Sequence, residues 1–225
     1  MITIQNISKK FEEVSGDIWA TKDISFNIKK GEFVSIVGRS GSGKTTLLKI
    51  MGGLLQPSAG IVLISGKDIY SMSEEEISDY RCNSIGFVFQ DFFLEEKYTV
   101  YQNLEIVLMI SKIPYKKREK MIDEALLAVG MSHKKNTLVD VLSGGEKQRV
   151  CIARAIINNP DIIFADEPCG NLDYENGLNI MSLLRKQKES GKTVVLITHS
   201  TEDAKTTDRI ITLKDGSVLK DEENR

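Results

Sequence analysis

Eight consecutive residues, GRSGSGKT from Gly38 to Thr45, combine three glycines with a lysine and a threonine. Gly38, Gly41 and Gly43 let a backbone fold tightly and aim N–H groups inward at an anion. Lys44 supplies a mobile charge for the β- and γ-phosphates of a nucleotide, and the Thr45 hydroxyl is a ligand for Mg²⁺. Arg39, Ser40 and Ser42 belong to the same cradle, and Thr46 is a neighbouring phosphate contact. A glycine-rich turn with an incidental Gly-Lys-Thr is the bland alternative. The flanks decide against it, because the run lies between an apolar strand and a helix, as a phosphate loop requires.

Two acids follow another apolar run, Ile162 to Ala165. Asp166, at the carboxyl end of a buried strand, falls beside the phosphate loop and can hold Mg²⁺ through water. Glu167 can orient or deprotonate an attacking water. Strands often end in solvated acids, and only the nearby loop gives this pair its chemistry. His199 closes a third apolar run, VVLIT, where its imidazole can reach a γ-phosphate and steady Glu167. Gln90 follows IGFVF; an amide there can touch Mg²⁺ or the water.

LSGGEKQR, from Leu142 to Arg149, is the most specific run. Ser143 and Glu146 form a capping box, so a helix begins there. Two glycines in its first turn cost about 1 kcal/mol each relative to alanine. That cost is intelligible if a ligand approaches the backbone of Ser143, Gly144 and Gly145 closely, as at a second phosphate site. One chain already has a loop for that phosphate, so the economical reading assigns this second site to the nucleotide of another copy.

The elements that must position these residues alternate. Strands are expected at Ile2–Phe11, Ile18–Ile28, Phe33–Val37, Ile61–Ile64, Ile85–Phe89, Ile162–Asp166 and Thr193–Thr198, with a hairpin around Lys214 to Gly216. Helices are expected at Lys44–Leu54, from Gly144, and from about Glu175 to Glu189. Between Thr99 and Gly130 two helical patterns interrupt the alternation; Met121, Ile122, Ala125, Leu126 and Val129 share one face, opposite Lys116–Lys120. The expected fold is α/β: a phosphate-loop core on a mostly parallel sheet, a small antiparallel β subdomain, and an inserted helical subdomain at about 91–158 within one domain, 1–225. The charged tail Lys220–Arg225 reads as frayed.

With these motifs in order, the sequence resembles the ATP-binding subunits of ATP-binding-cassette (ABC) transporters over essentially its whole length. The resemblance implies ATP and Mg²⁺ as ligands, an α/β cassette, and two copies stacked head to tail on two ATPs. It implies Glu167 as general base, His199 as the switch histidine, Gln90 as the residue linking nucleotide to the helical insert, and Thr45, Gln90 and Asp166 around Mg²⁺. Ser143, Gly144 and Gly145 would touch ATP in trans, and Asp173 of GNLD would bridge the two sites. The adenine-stacking aromatic of the family falls at Phe11, where the family more often has Tyr; packing within the small sheet is the alternative. Within the family, IGFVFQ, Gly52-Gly53-Leu54 and GNLD resemble the lipoprotein-release, macrolide-efflux and antimicrobial-peptide-resistance branch. Cys169 stands where the family usually has Thr: either a thiol-sensitive position near the dimer interface or a small residue in a tight turn.

Composition agrees. A hydrophobic content of 41% and charged content of 28% suit a globular domain, and a net charge of −2 gives no reason to expect nucleic acid. No apolar run approaches the roughly 20 residues of a spanning helix, and the N-terminus lacks a signal peptide's core. Cys82, Cys151 and Cys169, odd in number and without metal spacing, read as free thiols of a reducing compartment. The expected place is the cytoplasm, at the inner face of the membrane through a permease. Competing expectations are an ABC ATPase of DNA repair, chromosome organisation or translation, a cell-division regulator acting on a membrane partner, and a phosphate-loop kinase. Missing coiled coils, a single cassette and LSGGEKQR argue against the first and last. Phe92, Phe93, Leu94 and Tyr98 are either a docking surface beside Gln90 or core of the insert.

Overall fold

A computed structural model describes residues 1–12 and 16–224. In chain order its elements are β1 (Ile2–Phe11), β2 (Ile18–Ile28), β3 (Phe33–Val37), α1 (Lys44–Met51), β4 (Ala59–Ile64), β5 (Lys67–Asp68), α2 (Glu74–Asn83) and β6 (Ile85–Val88). There follow α3 (Val100–Ile110), α4 (Tyr115–Ala128), α5 (Gly144–Ile156), β7 (Ile162–Asp166), α6 (Tyr174–Glu189), β8 (Thr193–Thr198), α7 (Thr201–Lys205), β9 (Arg209–Lys214) and β10 (Ser217–Glu223).

Two sheets form. The larger has the order β10-β9-β3-β8-β7-β6 and is parallel except at the β9–β10 hairpin. The smaller, β2-β1-β4-β5, is antiparallel throughout. Strand alternation divides the core. Ile163, Ala165, Val194 and Leu196 point to one face of the large sheet and pack with α3, α4, α5 and α6. Ile162, Phe164, Val195 and Ile197 point to the other, against α1 and the small sheet. With both faces covered, β7 and β8 are buried at every position, which is why their polar residues, Asp166, Thr193 and Thr198, stand only at the strand ends.

This topology brings four strand ends together. β3, β8, β7 and β6 are parallel neighbours, so Gly38, His199, Glu167 and Gln90 emerge from the same carboxyl edge of the sheet.

Some expectations are corrected. Helix α1 stops at Met51 rather than Leu54, because Gly52 and Gly53 follow and Gly53 adopts φ +67°. The tail is not frayed through Glu223: Lys220–Glu223 pair with β9, and Arg209 forks onto both oxygens of Asp221 at 2.6 Å. Helices α2 and α7 were not expected at all. Of the aromatic segment after Gln90, Phe93 and Tyr98 are exposed, whereas Phe92 and Leu94 are half-buried and Leu94 packs on the core.

Candidate active site

The buried strand β3 delivers the chain to Gly38, and the loop returns into α1 at Gly43. Gly43 is obligatory: its φ is +94°, and a Cβ there would strike the Ala20 carbonyl of β2. Gly43 gives α1 no side-chain cap, so the first N–H groups of the helix stay available to an anion. Lys44 is buried along its length, and its ammonium donates to the carbonyls of Gly38 at 2.9 Å and Arg39 at 3.1 Å. The cation is thereby held over the loop it must serve.

A cavity of about 620 Å³ stands over this loop. Ser40, Gly41, Gly43, Lys44, Thr45 and Thr46 form its floor, and Gln90, Glu167 and His199 reach it from the other strand ends. Asp166 lies beneath, its Oδ1 accepting from the Thr45 hydroxyl at 3.3 Å. Burial raises the Asp166 carboxyl above the ordinary aspartate value; the Thr45 hydrogen bond opposes that shift, and the charge of Glu167 adds to it. Glu167 adopts φ +47°, a left-handed conformation that costs a non-glycine residue on the order of 1–3 kcal/mol. Its N–H donates to the Ile197 carbonyl, and its carboxylate meets His199 Nδ1 at 2.8 Å. Gln90 exchanges hydrogen bonds with Asn171, each at 3.3 Å, tying the end of β6 to the turn after Glu167.

The LSGGEKQR helix starts as its sequence dictates. Ser143 Oγ accepts from the Glu146 N–H, and Glu146 accepts from the Ser143 N–H at 2.9 Å. Its two glycines differ. Gly144 is exposed with room for a methyl group, but a Cβ on the buried Gly145 would overlap the Asn176 side-chain amide. Asn176 Nδ2 in turn donates to Asp173 at 2.7 Å, so Asp173 is anchored against the start of α5. Along α5, Gln148 and Cys151 donate to the carbonyls of Phe89 and Phe92, and Arg154 donates to those of Phe92 and Phe93. Three side chains spaced three apart therefore grip the segment that carries Gln90.

Ser143, Gly144, Gly145 and Asp173 are not among the residues lining the cavity over the loop. Phe11 is not there either; it faces Ile18 across the β1–β2 ladder, and Lys9 lies over its ring. The aromatic in the cavity wall is Trp19, 45% exposed, beside Ile18 and Ala20. Sequence reasoning missed it, although a lone tryptophan in an alternating strand was a usable signal. The thiol of Cys169 is half-buried and pushed up to about 12, first by burial and then by the charges of Asp203 and Glu167. It therefore lacks the thiolate character of a reactive site, which favours its reading as a small turn residue.

A sequence model of the family described as ABC transporter matches residues 21–170, a span that includes the loop, Gln90, the LSGG run and both acids. The chain belongs to the ABC transporter family. It is 42% identical over 222 residues to the lipoprotein-releasing system ATP-binding protein LolD of Bacteroides thetaiotaomicron, covering 98% of this chain and 100% of that one. The macrolide export ATP-binding/permease protein MacB of Bartonella quintana is 39% identical over 221 residues, 98% of this chain. The chain spans only about a third of such MacB proteins, 34% in this case. Among solved structures, the dimeric ABC transporter cassette MJ0796 of Methanocaldococcus jannaschii aligns with a TM-score of 0.92 at 42% identity, over 100% of this chain and 99% of that one. The same cassette is known as a dimer in a post-hydrolysis state with ADP and Pi, also at a TM-score of 0.92. The chain has the fold of an ABC ATPase cassette. No helix among the described residues is long and apolar enough to cross a membrane.

Proposed function

We propose that this chain hydrolyses ATP as one of two cassettes stacked head to tail and thereby drives a separate membrane permease. The observation that carries this reading is a division of labour. The cavity gathers a phosphate loop, an acid pair and a histidine, while a second anion-ready helix start, Ser143–Gly145, lies in the same chain but outside it. A second copy presenting that helix start completes each cavity and receives the same help in return. The dimeric state of the MJ0796 cassette supports this arrangement.

Within the site, the loop N–H groups and Lys44 bind the phosphates, and Trp19, the aromatic in the cavity wall, covers the base in place of Phe11. Glu167 takes the proton of the attacking water, with His199 fixing its carboxylate. Thr45, Asp166 and Gln90 would hold Mg²⁺; their donors are the hard oxygens that ion prefers, and a cation relieves the burial penalty on the Asp166 carboxylate. When bound, the ion would neutralise charge developing on the phosphate oxygens. Asp173, which Asn176 holds beside α5, would bridge to the partner's site.

Beside Gln90 lies an apolar groove of about 450 Å³ whose walls include Phe89, Phe93, Val107 and Ile110, with Arg81 and Arg154 at its edge. Its position next to the segment gripped by α5 suits a short cytoplasmic helix of the permease, which would hold the cassette at the inner face of the membrane. The LolD and MacB relatives favour lipoprotein release or macrolide-type export as the driven process.

Sedimentation of the Glu167→Gln variant tests the reading. It should bind ATP, turn over at least about a hundredfold more slowly, and run as a dimer only when ATP is present. Wild-type turnover in this variant would remove Glu167 as base.

A further inference from the structure

The corner between α3 and α4 differs in chemistry from the rest of the chain. From Lys112 to Lys120 five residues are basic and one, Glu119, is acidic, in a protein whose net charge is −2. Lys112, Lys116 and Lys117 are exposed and form no ion pair among the described residues. Two of the three acids of α4 are engaged elsewhere: Glu119 and Asp123 both bind Lys135, at 3.0 and 2.8 Å, while Glu124 pairs with Lys120 at 3.7 Å, one turn along. The first turn of α4 contains no acidic residue, the reverse of what a helix dipole favours.

Large apolar side chains sit among these cations. Met109 is 54% exposed, Ile110 67% and Tyr115 74%. The corner is rigid: Ser111, Lys112 and Ile113 N–H groups close the end of α3, and Arg118 donates to the Ile113 carbonyl at 2.9 Å. The backbone that presents the lysines, two aliphatic tips and a tyrosine is therefore already ordered, and binding need not fold it.

We propose that this corner rests on anionic phospholipid, the lysines meeting headgroup phosphates while Met109, Ile110 and Tyr115 enter the interface. The combination is that of membrane-surface segments, where basic side chains and amphipathic or apolar residues act together. Continuity points the same way. Ile110 also lines the groove proposed for the permease helix, so the face that meets the permease continues into the basic corner. The proposal rests on that groove reading only for which way the corner points; lipid binding itself is tested without a permease.

The test is co-sedimentation of the full chain with vesicles of phosphatidylcholine alone or mixed with phosphatidylglycerol. Binding should require phosphatidylglycerol and weaken with salt. Since each basic residue near an anionic surface contributes about a fivefold change in partition, K116E/K117E should bind at least about twentyfold more weakly. Tyr115→Ser should weaken binding at unchanged charge, and ATPase activity and circular dichroism of both variants should stay as in the wild type. No binding to the mixed vesicles, or undiminished binding by K116E/K117E, overturns the proposal. If the wild type ignores vesicles while K116E/K117E loses its permease, the corner serves an acidic protein segment instead. A Phe93→Ser variant that loses the permease yet keeps vesicle binding separates the groove reading from this one.

Discussion

Glu167 and His199 face each other across two neighbouring strands, with Oε2 2.8 Å from Nδ1 and the His199 N–H also directed at Oε2 at 3.3 Å. Parallel pairing of β7 with β8 sets the relationship, since Asp166 is in register with Ile197. A carboxylate can only accept, so Nδ1 carries the hydrogen and the ring is fixed in one orientation. Glu167 spends backbone strain at φ +47° to reach this position. Its side chain is largely buried, at 17% exposure, whereas that of His199 is 73% exposed. Both side chains line the cavity, and the histidine is the more open of the two.

Removing that hold should affect chemistry more than binding. His199→Ala is expected to lower kcat about a hundredfold while leaving the ATP dissociation constant within a few-fold. Steady-state kinetics beside calorimetric titration reads both numbers. A variant that loses affinity in proportion to rate would make His199 a binding residue rather than a positioning one.

The two glycines of the LSGG run should part company. Gly144→Ala gains about 1 kcal/mol of helix propensity and meets no obstruction, so the monomer should melt higher. Gly145→Ala gains the same amount but must displace Asn176 from Asp173, losing a hydrogen bond of about 1 kcal/mol. Its melting temperature should lie below that of Gly144→Ala. Both should impair ATPase activity, Gly144→Ala without any loss of fold. Equal melting of the two would contradict the packing described for Asn176.

Asp166 makes the site pH-dependent. Its carboxyl is raised by burial, so the apo fold binds that proton more tightly than the unfolded chain does. The contribution to apo stability is complete below the unfolded value of about 3.9 and is lost as pH rises through the folded value. Holding Mg²⁺ requires the opposite, ionised form. Mg²⁺-dependent ATP affinity should therefore fall on acidification while pH is still above about 3.9, and Asp166→Asn should be weak and fall less steeply, retaining only the titration of the ATP phosphate itself. Calorimetry with and without Mg²⁺ measures both; a wild-type profile no steeper than that of the variant would exclude Asp166.

The legible parts of this protein were those where one interaction dominates. β3, β7 and β8 are apolar because both faces are covered, and the capping box at Ser143 announces α5. Helix α2 carries an equally good box, Ser73 with Glu76, but buries only Tyr80, so it lacks an apolar stripe. Helix α7 is a single short turn held by the Ser200 cap. The tail looked solvated because its charges are many, yet Arg209 holds Asp221 in the sheet across the β9–β10 hairpin, a pairing that a charge count does not reveal. Trp19 and Asn176 were missed for a related reason: their partners, the phosphate loop and Gly145, are brought near only by tertiary folding.

Specific ATPase activity measured against protein concentration tests the paired site most directly, with sedimentation reporting the association state at each point. Activity per molecule should fall in proportion to dilution once monomers prevail, because no single chain brings Ser143–Gly145 into its own cavity. Constant activity per molecule, sustained where every molecule sediments as a monomer, would contradict the account.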